Sequence, residues 1–476
     1  MTERKIIGTL ELASKYRYGI TSHGAPIFLF RPYDEAEPEY IVGSSERDLT
    51  RNQIAVVAVT TPAPLDDTQT NVSQTKPRGH LVKLFGPVGD PTAEREALLS
   101  HYCPFQNKKE KETEPLTPDE TDDDDRIEID EESGWITFHI DPPGCRDIDD
   151  AIAYNPETKA WAITIADAAA AVPPGSWADL AASAIGSTFY DLEGKALRPM
   201  LPAAISEDSA SLLPGKRRKG VTLIIADDGS SDFVLSWITV ENSFTYDNFI
   251  GSYVQTLLPP VAMKDPHVWI EELMIRYNKE VATRLKHAGT GLLRVQKPAD
   301  AEAVASWSGI DPALEVMAAE AATYEVADAE SVTQGHASLG LDAYCHASSP
   351  LRRYADLFNQ RVLKGLLRGD TEKAKAETDD SSPFLTASIL NKRTRANRRW
   401  TRDLTFLSLV TPGRVHTIDV IFLGSERVWV PAWRRILRLR HIEDREPGFR
   451  GRINIFCDPT KRNWSKRVLT AAVTFS

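Results

Sequence analysis

The sequence predicts a mixed α/β protein in which a large central α/β domain is flanked by two small β-barrels. Three observations carry this. Short runs rich in β-branched and aromatic residues crowd the first 90 positions and return after residue 410, whereas strand and helix patterns alternate between them. A polar, acidic stretch over residues 106–132 sets the first group apart. The chain has 476 residues, 42% hydrophobic and 26% charged, which gives ample core material for about three domains. The expected division is a barrel over residues 1–105, a linker over 106–132, the central domain over 133–409 and a basic barrel over 410–476.

The elements follow in order. Residues 6–12, 26–30, 40–42, 54–59 and 80–85 read as five strands, the count of an OB-type barrel. Residues 62–77, polar and rich in Thr, Gln and Asp, read as a loop between the last two strands, and residues 94–102 as a helix that closes the unit. The linker holds Asp122, Asp123, Asp124 and Asp125, a local run in a polar tract that reads as solvated rather than as a metal site. In the central part, residues 135–140 and 161–165 read as strands and residues 177–185, 270–285, 352–367 and 390–409 as helices. The tail returns to strands at residues 420–423, 428–430 and 453–456.

The net charge of −12 conceals a division. Residues 391–476 carry 19 basic against seven acidic side chains, so the rest of the chain is strongly acidic. A basic end on an acidic chain points to a polyanionic partner, with a solvated positive face as the plainer reading. Four scattered cysteines form no CxxC pair, which speaks against a zinc finger or redox motif. Met1 is followed by Thr-Glu-Arg-Lys with no apolar segment behind it. The expectation is a protein of the cytoplasm or another reducing intracellular compartment, with no membrane partner.

One segment stands out: His139-Ile140-Asp141-Pro142-Pro143-Gly144-Cys145-Arg146-Asp147-Ile148-Asp149-Asp150-Ala151-Ile152. Asp141, Asp147, Asp149 and Asp150 follow a buried-looking strand, where like charge and burial would both disfavour ionisation. A divalent cation removes that penalty, and oxygen ligands of this kind suit Mg²⁺ or Mn²⁺. Pro-Pro-Gly enforces a bend that lets Asp141 fold back toward the other three. The competing reading is a loop of capping aspartates.

This segment resembles the signature of the ribonuclease II family, whose catalytic unit is the RNB domain. Further motifs agree in order: Ile165-Ala166-Asp167, Pro199-Met200-Leu201-Pro202, Ser211-Leu212-Leu213-Pro214-Gly215 with Arg218, Leu293-Arg294-Val295, and Tyr344-Cys345-His346-Ala347-Ser348-Ser349-Pro350-Leu351-Arg352-Arg353-Tyr354-Ala355-Asp356. The resemblance implies an RNB-type α/β catalytic domain between an OB/cold-shock-like barrel and an S1-like barrel. It also implies a hydrolytic 3′→5′ exoribonuclease that degrades single-stranded RNA to nucleoside 5′-monophosphates by a two-metal mechanism. Under that resemblance Asp141, Asp147, Asp149 and Asp150 hold Mg²⁺ or Mn²⁺, with Asp149 critical. Arg352 and Arg353 can meet the phosphate, or pair with Asp356 one helical turn on. Tyr190 matches the aromatic that stacks a base near the 3′ end, or is a core tyrosine. Arg218, and Arg398 and Arg399 on the basic helix, join the expected RNA-binding set. Trp429, Trp433 and Trp464 lie among arginines in the tail and offer stacking surfaces or core. His336 and His346, ten apart, fit no common zinc spacing and read as packed or hydrogen-bonded.

The chain also departs from the family. Only 24 residues separate Tyr246 from Glu271, where relatives carry a longer helical stretch that supplies a second aromatic against the terminal base. A single N-terminal barrel is evident, and a tail position that is acidic in some members falls near Thr417. A second expectation is therefore kept: a catalytically inactive RNA-binding or scaffold protein on the same fold. The intact quartet with Arg352 and Arg353 favours the enzyme.

Overall fold

The computed structural model describes residues 3–60, 76–103, 126–318, 320–327, 335–370, 382–409, 414–439, 445–458 and 468–474. Most of the expected loop at 62–77, the expected linker up to residue 125 with its acidic run, and Trp464 lie outside the described residues.

Strands β1 (Glu3–Leu10), β2 (Ile27–Pro32), β3 (Tyr40–Gly43), β4 (Gln53–Thr60) and β5 (Arg78–Pro87) close into a barrel in the order β1-β2-β3-β5-β4. Alternate residues such as Leu10, Phe28, Phe30, Val42 and Val57 fill its interior. At Gly8 a Cβ would fall 2.2 Å from the Arg31 carbonyl oxygen, so only glycine lets β1 approach β2 there. Helix α1 (Pro91–Tyr102) follows, started by the Asp90 carboxylate accepting from the Ala93 N–H and by Pro91 in its first turn.

The central sheet has seven strands. Its members include β6 (Ile127–Ile129), β7 (Ile136–Ile140), β8 (Asp150–Asn155) and β9 (Ala160–Ala166). After helices α2 (Ala168–Ala171) and α3 (Trp177–Ile185), the strands β10 (Phe189–Tyr190) and β11 (Ala196–Arg198) make a separate hairpin. Strands β12 (Arg217–Ile225), β13 (Ser231–Thr239) and β14 (Asn242–Phe244) complete the sheet in the order β14-β7-β8-β9-β12-β13-β6. Its outer pairs β14–β7 and β13–β6 are parallel, and the remaining pairs are antiparallel.

Short helices α4 (Tyr246–Phe249) and α5 (Tyr253–Leu257) lead into α6 (Pro266–Ala288), which starts on Asp265 and stops at Gly289 with φ +68°. Trp269 on α6 stacks on Phe138 of β7 at 6.1 Å, and Phe249 joins them. Burying one such ring contributes roughly 3 kcal/mol. Strands β15 (Leu292–Val295) and β16 (Thr323–Val326) pair with each other, with α7 (Ala301–Trp307) and α8 (Pro312–Ala318) between them in the chain. Helices α9 (Tyr354–Leu367) and α10 (Ser382–Leu409) complete the middle.

The tail strands β17 (Val415–Gly424), β18 (Arg427–Val430), β19 (Arg435–Arg438), β20 (Arg450–Cys457) and β21 (Val468–Thr474) form an antiparallel sheet in the order β19-β18-β17-β20-β21. Its two edge strands are not paired with each other among the described residues.

The three parts share cores. Ile7, Tyr33, Ile54 and Val56 of the barrel pack with α1, with Ile185 and Phe189, and with Trp400 and Leu404 of α10. Phe406 of α10 enters the core of the tail sheet. Trp429 is fully buried against Leu314 and donates its indole N–H to Asp311 at 2.9 Å, so the reading of it as a stacking surface gives way to the core one. No disulfide joins any of the four cysteines. Among the described residues no helix is long and apolar enough to cross a membrane.

Candidate active site

The loop between β7 and β8 carries the acidic quartet, and the fold pins it at both ends. The Asp141 N–H donates to the Phe244 carbonyl at 3.0 Å, extending the β7–β14 pairing by one residue. Cys145 N–H closes a turn onto the Pro142 carbonyl, with Gly144 at φ +80°, a conformation that strains any residue with a side chain. The Ser211 hydroxyl donates to the Arg146 carbonyl (2.7 Å) and accepts from the Ile148 N–H (3.0 Å), so the Ser-Leu-Leu-Pro-Gly motif clamps the loop.

The facing wall is the Tyr344–Asp356 motif. Asn278 of α6 accepts from the Ala347 N–H (2.9 Å) and donates to the Ser348 hydroxyl (3.1 Å), while Asn359 of α9 donates to the His346 carbonyl (2.9 Å). These bonds hold the segment so that Leu351 N–H and Arg352 Nε both reach Asp149, at 2.9 and 2.8 Å. The Thr188 N–H donates to the Arg352 carbonyl at 3.0 Å, which brings the β10 hairpin, and with it Tyr190, to the same place.

A cavity of about 840 Å³ lies between these walls, lined by Asp141, Asp147, Asp149, Asp150, Tyr190 and Arg352. The Tyr190 hydroxyl donates to Asp147 at 2.7 Å, and His139 Nδ1 is hydrogen-bonded to Asp141 at 2.9 Å. Burial pushes the Asp149 carboxyl up to about 7 despite the opposing pull of Arg352 and the Leu351 N–H. Burial raises Asp150 too, well above the carboxylate range, with Asp141 and Asp149 adding like-charge repulsion. Burial, and then Asp147, push the Tyr190 hydroxyl upward, so it stays a donor.

Among the described residues, no three His, Cys, Asp or Glu side chains converge closely enough to hold a metal ion. The four aspartates share one cavity, but three of them take the nearest protein donors: His139, Tyr190, and the Leu351–Arg352 pair. The donor set nonetheless fits a hard cation in kind. The half-buried Asp150 carboxylate has no hydrogen-bond or ion-pair partner among the described residues, and the charges that act on it include two of its own sign. A divalent cation is the counter-charge such a set lacks.

Not every expected residue arrives in the cavity. Arg353, next to Arg352, turns away: its Nη2 donates to the fully buried Asp356 at 2.7 Å. Arg218 is held by the Ser211 carbonyl (3.1 Å) and by Asp208. Arg398 and Arg399 are exposed on α10, outside the cavity lining. His346 is half-buried and bonded to the Tyr324 hydroxyl at 2.7 Å, in keeping with a packed or hydrogen-bonded histidine.

Tyr246 and His267 also line the cavity, their rings stacked at 3.7 Å and 10°. Tyr246 was visible only as a landmark. His267 carries no sequence signal apart from following the Asp265-Pro266 helix start that places it. The stretch from α4 to the start of α6 places both rings in the cavity lining.

The sequence profile of the RNB domain matches residues 130–258 and 260–369, half of the chain. The chain belongs to the RNB domain family, the catalytic unit of the ribonuclease II exoribonucleases. It is 28% identical to exoribonuclease 2 of Sodalis glossinidius over 359 residues, which are 56% of this chain and 54% of that protein. The chain thus spans about half the length of that relative. Among solved structures it resembles Mycoplasma genitalium RNase R in complex with double-stranded RNA (TM-score 0.70, 16% identity, 99% of this chain and 95% of that one). It also resembles yeast Ssd1, described as a pseudonuclease (TM-score 0.67, 19% identity, 96% of this chain and 67% of that one). At these identities the two structures establish the shared fold.

Proposed function

We propose that the chain is a hydrolytic 3′→5′ exoribonuclease that shortens single-stranded RNA and releases nucleoside 5′-monophosphates. The observation that carries this reading is the convergence of Asp141, Asp147, Asp149, Asp150, Arg352 and Tyr190 on one cavity of nucleotide size. Membership of the RNB family supports it, as do the activity in the name of the exoribonuclease 2 relative and the RNA in the RNase R structure.

Asp141, Asp147, Asp149 and Asp150 would hold Mg²⁺ or Mn²⁺ in a two-metal arrangement. When bound, such ions supply Lewis acidity and charge neutralisation for phosphodiester hydrolysis. The remaining work falls to the chain itself. The Arg352 guanidinium is 47% exposed, so it grips Asp149 through Nε and keeps other N–H groups for the scissile phosphate. Tyr190 is fixed by its bond to Asp147, which leaves its ring face as a platform for the 3′-terminal base. Arg218, Arg353, Arg398 and Arg399 add positive charge along the strand. The first two are partly occupied by Asp208 and Asp356, so their share of binding is the smaller.

The test is incubation with single-stranded RNA labelled at either end, with Mg²⁺ or Mn²⁺. Prompt release of the 3′ label as a mononucleotide, with stepwise shortening of the 5′-labelled strand, is the expected result. Internal fragments would contradict an exonuclease.

A second reading, an RNA-binding scaffold without hydrolysis, rests on one observation. Both Asp149 oxygens are engaged by protein donors, and no three ligands converge among the described residues. RNA binding without cleavage at any divalent-ion concentration would establish it.

A further inference from the structure

One polar side chain beside the cavity takes no part in the reading above. Strand β7 alternates: Phe138 and Ile140 enter the apolar core, while Thr137, His139 and Asp141 share the opposite face. His139 is 4% exposed, and its main chain is fixed opposite Ser243 in the β7–β14 pairing. Its Nδ1 lies 2.9 Å from Asp141 Oδ2, while its Nε2 is buried without a hydrogen-bond partner. Among the described residues the bond to Asp141 is thus the only hydrogen bond the ring makes.

A buried nitrogen without a partner opposes folding, and a leucine or valine at this point of the strand would avoid that cost. What the ring supplies is a donor in a fixed place. An ionised carboxylate only accepts, so Nδ1 carries the proton of the bond. Asp141 is then anchored twice, through its N–H to the Phe244 carbonyl and through Oδ2 to the ring. Its Oδ1 has no hydrogen-bond partner among the described residues. Tyr190 reaches Asp147 from a separate hairpin, but His139 stands two residues from Asp141 on the same strand, so its hold does not depend on how two elements dock.

We infer that His139 is a positioning residue of the cation site: it holds one oxygen of Asp141 and so keeps the other available to a divalent ion. The inference rests on the reading of the quartet as a cation site. A carboxylate that rotates freely must be ordered when the ion arrives, and one already held by a donor has met that entropic cost in folding.

The test is Mn²⁺ binding by the full chain without RNA, followed by calorimetry, for wild type, His139→Leu and His139→Asn. His139→Leu should weaken binding about tenfold or more, as the loss of a group that orients a metal ligand does. His139→Asn, whose amide can donate from the place of Nδ1, should restore most of the affinity. In EDTA the thermal midpoint of His139→Leu should be unchanged or raised, because a poorly satisfied polar ring is removed. In RNA cleavage, the Mn²⁺ concentration for half-maximal rate should rise with the dissociation constant, while the rate at saturating Mn²⁺ stays near that of wild type.

Wild-type affinity in His139→Leu would make the ring a core residue and overturn the inference, leaving the cation site standing. A lowered midpoint with an affinity loss that His139→Asn does not restore would give His139 a structural role only, and would overturn it equally. If His139→Leu does not fold, His139→Phe, which keeps a planar ring without the donor, carries the same predictions. A wild type without saturable Mn²⁺ binding overturns the cation site and the inference together.

Discussion

Two buried aspartates lie within the same domain, and they answer burial in opposite ways. Asp167 ends β9, caps α2 through the Ala170 N–H, and is gripped by Arg126 and by Lys364 (2.7 Å), all almost wholly out of solvent. Burial works against its ionisation, but the two cations outweigh it and hold the carboxyl below its ordinary value. Asp149 is just as buried, yet it faces one half-exposed arginine and neighbouring carboxylates, and its carboxyl is pushed up to about 7. The first charge is balanced within the protein and serves the fold. The second is left unbalanced, which is what a site reserved for an external cation looks like.

That contrast yields its largest effect as a pair of isosteric changes. Asp167→Asn should lower stability by about 3–5 kcal/mol, because it strands two buried cations. Asp149→Asn should leave chemical denaturation almost unchanged and reduce hydrolysis roughly a thousandfold or more. RNA affinity, which comes from phosphate contacts elsewhere, should hold. Equal destabilisation by both changes would erase the distinction between them.

The pH response should differ in sign. Asp149 has a folded pKa above its unfolded value, so its contribution to stability is complete below the ordinary carboxylate range and is lost as pH rises toward about 7. Asp167 has a depressed one, so its contribution is present above the ordinary range and is lost as pH falls through the folded value. In EDTA the thermal midpoint should therefore decline between about pH 5 and 7, and Asp149→Asn should flatten that decline. A slope unaffected by Asp149→Asn would show that the group is not the one titrating.

Arg352 and Arg353 repeat the comparison on a smaller scale. Arg352→Gln should lower the cleavage rate with little change in stability. Arg353→Gln should lower stability by roughly 2 kcal/mol through the loss of a charged hydrogen bond to Asp356. The smallest effect belongs to Tyr190→Phe, which removes only the bond to Asp147. It should alter short-oligomer cleavage less than Tyr190→Ala, which removes the stacking face worth about 1–3 kcal/mol. Unchanged end-product length and short-oligomer rate in Tyr190→Ala would make Tyr190 a core residue.

Much of this was legible in the chain. The five barrel strands show their period and their turns, and they lie within two or three residues of expectation at most ends. The quartet, the Ser-Leu-Leu-Pro-Gly clamp and the Arg352 wall were readable because each carries unusual chemistry at fixed spacing. Other features depend on contacts distant in sequence. Strands β12 and β13 carry no comparable mark in the sequence, and α6 begins four residues before the expected start because Asp265 and Pro266 cap it there. Nothing local distinguishes Arg352 from Arg353. The difference arises because Arg352 donates to Asp149 in the cavity and Arg353 to the buried Asp356. The Tyr246–His267 stack is likewise invisible until the chain folds, since it is defined by neighbours in space.

The central claim, that the unbalanced carboxylates form a cation site, is tested most directly by titrating Mn²⁺ into the protein without RNA. The wild type should show saturable binding, with a thermal midpoint that rises with Mn²⁺ more steeply above neutral pH than in mild acid. Asp149→Asn or Asp150→Asn should abolish that binding, and Arg353→Gln should keep it. Absence of saturable binding in the wild type, or binding that survives both aspartate substitutions, would contradict the account.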